Sequence, residues 1–216
     1  MTLNIELFWS FRSPYSYLAT GRLVELARDF DVEIRARPVL PLAIRTPDFF
    51  KRTNPLFAPY LLRDTQRVAE HLGIPYRWPR PDPVVQDLET REIAAEQPYI
   101  HRLTRLGAAA AERGGGLAFF DQVSQLIWNG DVAGWDSGDH LAGAAERAGL
   151  DLAEMDAEVA AEPDRLDETI ERNQADHLAA GHWGVPTMVF EGEPFFGQDR
   201  IELLVWRLEQ NGLKRR

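Results

Sequence analysis

The sequence predicts an α/β fold in which both ends of the chain build one sheet and the middle forms an all-helical insertion. Three observations predict it. Residues 4–37 alternate strand, helix and strand, the middle has helical periodicity, and the last residues return to strands followed by a helix. The chain has 216 residues, enough for one domain that carries an inserted subdomain. We therefore assign residues 1–41 and 164–216 to the sheet-containing domain and residues 42–163 to the insertion.

The N-terminal segment predicts a β-α-β unit. Residues 5–9 form a short apolar strand, and Pro14 follows Ser13, a good capping residue, at the first position of a helix. Apolar and charged residues then alternate over residues 32–37, which indicates a strand with one face in water. Because the connections are short, we expect the two strands to be parallel and joined by a right-handed crossover.

The middle of the chain predicts a series of helices. The main ones are expected over residues 60–72, 88–113, 119–128 and 163–180. We expect the second to be broken or kinked at Pro98, because proline lacks the N–H that a helix interior needs.

The C-terminal segment predicts a β-hairpin and a final helix. The two strands are expected over residues 186–190 and 194–196, with a tight turn between them. Residues 197–199 then open a helix that reaches about residue 210, and apolar residues recur along one of its faces.

Composition excludes several classes of protein. The net charge of −10 argues against a nucleic-acid partner, since proteins that follow phosphates need a basic surface. The chain has no cysteine, which excludes disulfide exchange by the protein itself, a cysteine nucleophile and cysteine-ligated metals. The five histidines show no zinc-binding spacing, so we expect no metal site.

The N-terminus lacks the features of a secretory signal peptide, and no apolar run is long enough to cross a bilayer. We therefore expect a cytoplasmic protein with no membrane partner.

The segment Ser13-Pro14-Tyr15-Ser16 follows the first strand and opens the first helix. A helix N-terminus carries free N–H groups and a partial positive charge, which stabilise an anion. In redox proteins this geometry lowers the pKa of the first cysteine of a Cys-x-x-Cys pair. With serine there, the Ser13 hydroxyl can instead stabilise a thiolate that a ligand brings. The alternative is an ordinary helix start without chemistry.

Two further segments come later in the chain. Val185 precedes Pro186 at the start of a strand, where a cis bond would turn the backbone N–H and C=O toward a neighbouring site. The alternative is an ordinary trans bond. Asp199 opens the last helix, where it either caps the helix or pairs with a ligand amino group. Trp183 lies just before the Val185 segment, and it either lines a pocket or packs.

The joint order of these segments resembles the 2-hydroxychromene-2-carboxylate isomerase and kappa-class glutathione transferase family, which is related to periplasmic disulfide oxidoreductases. The resemblance extends over essentially the whole chain and is strongest in residues 11–19, 184–187 and 196–200. Residues 60–64 and 72–75 also resemble the insertion of that family. The resemblance implies a thioredoxin-like, DsbA-like domain built from both termini, and a homodimer.

The same resemblance implies a glutathione site, with glutathione as cofactor and Ser13 as the catalytic residue that holds its sulfur as thiolate. The glutathione-binding residues that it implies are Ser13, Trp183, Val185, Pro186, Gln198 and Asp199. The residues that it implies near an aromatic substrate are Arg12, Asn54 and Phe57.

The function that the resemblance implies is a glutathione-dependent cis–trans isomerase acting on an unsaturated aromatic keto acid. Addition of the thiolate, bond rotation and elimination would leave glutathione unconsumed. Phe57 is a departure, because the family usually has a lysine at this position, and its loss puts the substrate in doubt. The alternatives are a glutathione transferase or peroxidase, which consumes glutathione, and a non-enzymatic module that binds thiols or peptides.

Overall fold

The computed structural model describes residues 2–87, 89–90 and 92–216. Its centre is a four-stranded mixed sheet in the order β2-β1-β3-β4. The strands are β1 (Leu3–Trp9), β2 (Val32–Pro38), β3 (Thr187–Phe190) and β4 (Glu193–Phe196). β1 pairs with β2 in parallel, and β3 is antiparallel to both β1 and β4. This sheet, with helices packed on it, confirms the α/β fold class.

The first helix, α1 (Pro14–Asp29), connects the two parallel strands and positions the candidate site. Its N-cap is Ser13, whose side chain accepts a hydrogen bond from the Ser16 N–H, and Pro14 occupies the first helical position. Leu18 and Leu23 of this helix are fully buried in the core. The start of α1 is therefore fixed both by its cap and by packing.

The remaining helices occupy mostly the middle of the chain. They are α2 (Leu42–Arg45), α3 (Phe49–Arg52), α4 (Phe57–Leu72), α5 (Ile100–Glu112), α6 (Gly116–Trp128), α7 (His140–Arg147), α8 (Leu152–Ala161), α9 (Pro163–Ala179) and α10 (Ile201–Gln210). A 3-10 turn at Gln198–Arg200 precedes α10. Within the described parts of the chain, no helix is both long and apolar enough for a membrane span.

Helices of the middle region differ strongly in burial. α5 and α6 contribute many core side chains, including Phe119, Phe120 and Trp128. α4 buries only Thr65 and Ala69. α4 is thus mostly exposed, whereas α5 and α6 form the core of the region.

The helix predicted over residues 88–113 begins only at Ile100 in the structure. Leu88 lies outside the described residues. The described residues from Gly73 to Tyr99 form no helix, and Gln86 and Ile93 make an isolated antiparallel bridge. The stretch is rich in proline, which removes backbone donors and disfavours helical geometry in the preceding residue. This segment is the longest non-helical stretch among the described residues of the middle region.

Candidate active site

Ser13 lies in the turn between β1 and α1. Its side chain contacts Val185, which is 172 positions away in the sequence. Its Oγ accepts a hydrogen bond from the Ser16 N–H at 3.2 Å and donates one to the Val185 carbonyl at 3.2 Å. Both Ser13 and Val185 are half-buried. The fold thus brings the first two segments singled out in the sequence into direct contact.

The segment around Val185 is held by its own hydrogen bonds. The Thr187 hydroxyl donates to the Gly184 carbonyl at 2.6 Å, and the Gly184 N–H donates to His182 Nδ1 at 2.9 Å. The peptide bond between Val185 and Pro186 is cis. A Cβ on Gly184 would lie 2.4 Å from a ring carbon of Phe196, so the backbone here packs directly against an aromatic ring.

The start of the last helical segment lies beside Pro186. The Gly197 N–H donates to the Pro186 carbonyl at 2.9 Å, and Gly197 has a φ of 109°, which favours glycine. Arg22 of α1 donates to the Gln198 carbonyl at 2.9 Å. The exposed Asp199 pairs with the adjacent Arg200 at 2.9 Å. The three segments are therefore joined to one another through the Val185–Pro186 segment and through α1.

One backbone group and one side-chain group at this junction have no hydrogen-bond partner among the described residues. The Val185 N–H makes no hydrogen bond within the described residues. Ser16, one turn along α1 from Ser13, has a buried hydroxyl without a partner in the same part of the chain. α1 has no acidic residue in its first turn, so its partial positive charge is not offset from within the helix. The site can therefore receive an anion and a further backbone acceptor.

Arg12 precedes Ser13 but its guanidinium is already engaged. It forms two hydrogen bonds of 3.0 Å with the Asp82 carboxylate, and it lies 5.5 Å from the centre of the Trp78 ring. The Trp78 indole N–H also donates to Asp82, at 3.1 Å. Arg12 is only 9% exposed, so this pair joins the proline-rich segment to the Ser13 turn. Substrate binding by Arg12 stays a prediction.

Tyr15, inside the Ser-Pro-Tyr-Ser segment, connects the site to α4. Its hydroxyl donates to the Asp64 carboxylate at 2.7 Å, and Tyr60 and Arg67 donate to the same group. Burial and this hydrogen bond raise the pKa of Tyr15 well above its ordinary value. Burial alone would raise the pKa of Asp64, but its three hydrogen bonds lower it overall. The phenol therefore stays protonated and anchors α4.

A group of aromatic side chains lies between α3, α4 and the Val185 segment. Phe49 is 5.2 Å from Trp183 and 6.3 Å from Phe57, measured between ring centres. Trp183 in turn lies 6.4 Å from Phe196. Trp183 is 46% exposed and Phe57 is 37% exposed, so the group offers apolar surface to a ligand. Phe57, predicted at the substrate, is thus linked through Phe49 to Trp183.

Asn54, the other residue predicted near the substrate, uses its side-chain oxygen locally. That oxygen accepts a hydrogen bond from the Leu56 N–H at 3.0 Å, which shapes the turn before α4. Its role toward a substrate stays a prediction. No group of His, Asp or Glu side chains in the described ranges could hold a metal ion.

Sequence reasoning missed the Tyr15–Asp64 and Arg12–Asp82 contacts. Each joins residues at least 49 positions apart, and no local pattern pairs Tyr15 with Asp64 or Arg12 with Asp82. Asp64 lies in the segment 60–64 that resembles the family insertion, which is the only signal that pointed toward it.

The chain belongs to the DSBA-like thioredoxin domain family, whose model matches residues 4–209. Among curated proteins it is similar to the 2-hydroxychromene-2-carboxylate isomerases of Pseudomonas putida and Sphingobium xenophagum. The first is 28% identical over 210 residues, 93% of this chain and 91% of that protein. The second is 27% identical over 208 residues, 94% of this chain and 97% of that protein. The resemblance stated from the sequence is confirmed.

Solved structures agree on the fold. A 2-hydroxychromene-2-carboxylate isomerase superposes with a TM-score of 0.72 at 22% identity, covering 96% of this chain and 95% of that one. The cytosolic disulfide reductase DsbM of Pseudomonas aeruginosa, solved with GSH, superposes with a TM-score of 0.58 at 16% identity, covering 96% and 100%. At these identities the structural likeness shows the fold alone.

Proposed function

We propose that this protein is a glutathione-dependent cis–trans isomerase of an unsaturated aromatic keto acid, similar to 2-hydroxychromene-2-carboxylate isomerase. The observation that carries the proposal is the Ser13 hydroxyl at the N-terminus of α1, bonded to the Val185 carbonyl. The names of the curated relatives support the isomerase class. The absence of cysteine supports a thiol supplied from outside the chain.

The groups around Ser13 fit glutathione. The unpartnered Val185 N–H and the neighbouring carbonyl can pair with the backbone of the glutathione cysteine. Gln198 and Asp199, which lie beside Pro186, would hold the γ-glutamyl amino and carboxylate groups. Pro186 and Trp183 would supply apolar contacts next to them.

The Ser13 hydroxyl has one proton, which it donates in a hydrogen bond to the Val185 carbonyl. When a sulfur arrives, the hydroxyl would rotate and donate to the sulfur instead, which frees the Val185 carbonyl for an N–H of the ligand. The positive end of α1 acts on the same atom. Both effects lower the pKa of the bound thiol from about 8.5, so that more of it is thiolate at neutral pH.

Bound glutathione would supply a thiolate that adds to the conjugated system, allows rotation about the resulting single bond and is then eliminated. The aromatic group of Phe49, Phe57 and Trp183 would bind the ring of the substrate beside Ser13. A cytoplasmic location and a homodimer stay predictions.

The test is isothermal titration with glutathione, followed by an assay of 2-hydroxychromene-2-carboxylate isomerisation with the glutathione concentration monitored. We expect binding, turnover and no consumption of glutathione. Stoichiometric consumption would instead indicate a transferase, and binding without turnover would indicate a non-enzymatic module. No binding at millimolar glutathione would overturn the proposal.

The variant Ser13→Ala removes the hydrogen bond to the sulfur. A hydrogen bond to a charged group contributes about 1.5–3 kcal/mol, so the pKa of the bound thiol should rise by about one to two units. Turnover at neutral pH should fall about 10- to 100-fold, and the pH profile should shift upward. Ser137→Ala is the matched control, because it also removes a hydroxyl that donates to a backbone carbonyl, that of Gly134, but in an exposed turn outside the candidate site.

A further inference from the structure

Arg45, the last residue of α2, holds an unbalanced positive charge next to the candidate site. Its Nε–H donates to the Leu40 carbonyl at 2.7 Å, and one terminal nitrogen donates to the Trp183 carbonyl at 3.0 Å. No carboxylate within the described residues pairs with it. Burial lowers its pKa to about 10, so the guanidinium is still protonated at neutral pH.

Three cations on neighbouring elements, Arg12, Lys51 and Arg67, differ from Arg45 because they have a carboxylate partner. Arg12 pairs with Asp82 at 3.0 Å, and Arg67 pairs with Asp64 at 2.9 Å. Lys51 of α3 lies 3.6 Å from the Glu92 carboxylate. A partly buried cation without a counter-ion is unfavourable, and an incoming anion relieves this.

Among the described residues, no acidic group pairs with Arg45, so none competes there with a ligand. Its positive charge contributes to the lowered pKa of His177, and burial is the main cause of that shift. His177 is therefore neutral at neutral pH. His182, the other histidine near this segment, also has a pKa lowered by burial. The groups facing Arg45 are thus backbone carbonyls and neutral rings.

Arg45 contacts the segment before Val185, and the turn that carries Gln198 contacts it after Val185. The Gly197 N–H bonds the Pro186 carbonyl, which places Gln198 after Val185, whereas Arg45 bonds the carbonyl of Trp183, two residues before Val185. An extended ligand paired with Val185, with its amino end at Gln198, therefore directs its other end toward Trp183 and Arg45.

We infer that Arg45 binds a ligand carboxylate at this end of the site. This inference rests on the proposed function and assigns it a specificity-determining residue. The carboxylate can belong to the glycine end of glutathione or to the unsaturated acid substrate, since both present the same chemistry. A guanidinium binds either through charge-assisted hydrogen bonds.

The experiment compares ligands that differ only in one carboxylate. Calorimetry measures the affinity of glutathione and of its glycine ethyl ester for the wild type and for Arg45→Gln. A competition assay makes the same comparison for 2-hydroxychromene-2-carboxylate and its primary amide. In one of the two pairs, the wild type should bind the acid about 10- to 100-fold more tightly than the blocked form. In Arg45→Gln the two members of that pair should bind equally.

The ratio of the two affinities within a pair shows whether Arg45 binds the carboxylate of the ligand or only supports the local structure. If Arg45 only holds the Leu40 and Trp183 carbonyls, the variant weakens both members of each pair equally and the ratio is unchanged, which overturns the inference. Arg45→Lys should restore part of the ratio. Arg63→Gln, an exposed arginine on α4, is the matched control and should leave it unchanged.

The two proposals can fail separately. A wild type that binds glutathione and its ester equally, and the substrate and its amide equally, overturns the role of Arg45 alone. A wild type that binds no glutathione overturns the proposed function, and the substrate pair then decides the role of Arg45 by itself.

Discussion

The two halves of the candidate site are built in different ways. The half that would hold the thiol consists of the start of α1, residues 182–187 and the Gly197 turn, which are joined by hydrogen bonds to backbone carbonyls and by close packing. The half that would face the substrate consists of α3 and α4, where α3 buries no residue and α4 buries two.

The difference indicates which half is free to change. In the thiol half, positions such as Gly184 have no room for a larger residue. In the substrate half, exposed side chains such as Phe57 and Tyr60 can be exchanged with little effect on packing. We therefore expect substitutions in the thiol half to cost stability, and substitutions in the substrate half to change the substrate preference.

The largest effect should come from Asp82→Ala, which leaves the buried Arg12 guanidinium without its counter-ion. Removing one partner of a buried ion pair costs about 3 kcal/mol or more, because the remaining charge is neither solvated nor paired. Urea unfolding monitored by circular dichroism measures the loss. The control is Asp48→Ala, which removes the exposed partner of Arg52 and should stay close to the wild type. Equal effects of the two variants would contradict the prediction.

The next effect should come from Gly184→Ala. The added methyl group would meet the Phe196 ring at 2.4 Å, so the ring or the Val185 segment must move. Overpacking of this kind costs about 2 kcal/mol, and the displaced Val185 backbone should also weaken glutathione binding. Gly21→Ala in α1 is the control, because nothing lies within 4 Å of its new methyl group and alanine favours the helix. A stable variant with unchanged glutathione affinity would show that the segment is more adaptable than its packing indicates.

Local sequence signals were sufficient for the sheet and for the start of the site. The strand alternation over residues 32–37 and the Ser13-Pro14 helix start depend on neighbours within a few residues, and the structure has both. The pairing of β1 with β2 followed from the short connections. The Ser13 and Val185 segments were also found from the sequence.

The remaining features depend on contacts between distant residues. The helix predicted over residues 88–113, with a break or kink expected at Pro98, begins only at Ile100, just after that proline. Arg45 lies in no motif, and its role is argued from a partly buried charge that no carboxylate of the described residues balances. The periodicity of the sequence does not predict whether a charged side chain has a partner, since the partner can come from any element that packs around that side chain.

A smaller effect concerns His177, which stacks on Phe8 and is fully buried without a hydrogen-bond partner among the described residues. Burial, together with the charges of Arg45 and His182, lowers its pKa to about 4. Because the unfolded chain binds this proton near pH 6.5, stability should be constant above that pH and fall as the pH drops toward 4. Between pH 6.5 and 5 the loss should be about 1–2 kcal/mol.

Urea unfolding at a series of pH values measures this dependence. His177→Phe should remove most of the decline, because phenylalanine keeps the stack with Phe8 and has no titrating group. His71→Gln, an exposed histidine at the end of α4, should keep the decline. An unchanged decline in His177→Phe would assign it to other groups.

The smallest effect on stability should come from Phe57→Lys, which places a cation at the position where the resembling family usually has one. Phe57 is 37% exposed and its ring lies 6.3 Å from that of Phe49, outside the buried core, so the free energy of unfolding should change little. A solvent-exposed charge contributes about 0.5–1 kcal/mol to binding an anion, which corresponds to a two- to five-fold lower KM for an anionic substrate. This gain should shrink at high salt, because ions screen exposed charges.

Leu56→Lys is the control for this variant. Leu56 is 76% exposed, and a lysine there adds the same charge one residue away from position 57. If the gain belongs to position 57, Leu56→Lys leaves KM unchanged, and Phe57→Lys lowers it without a change in glutathione affinity. Equal gains in both variants would show that only the net charge of the surface matters. A gain in glutathione affinity would place Phe57 in the thiol half, because the cation would then act on the cofactor rather than on the substrate.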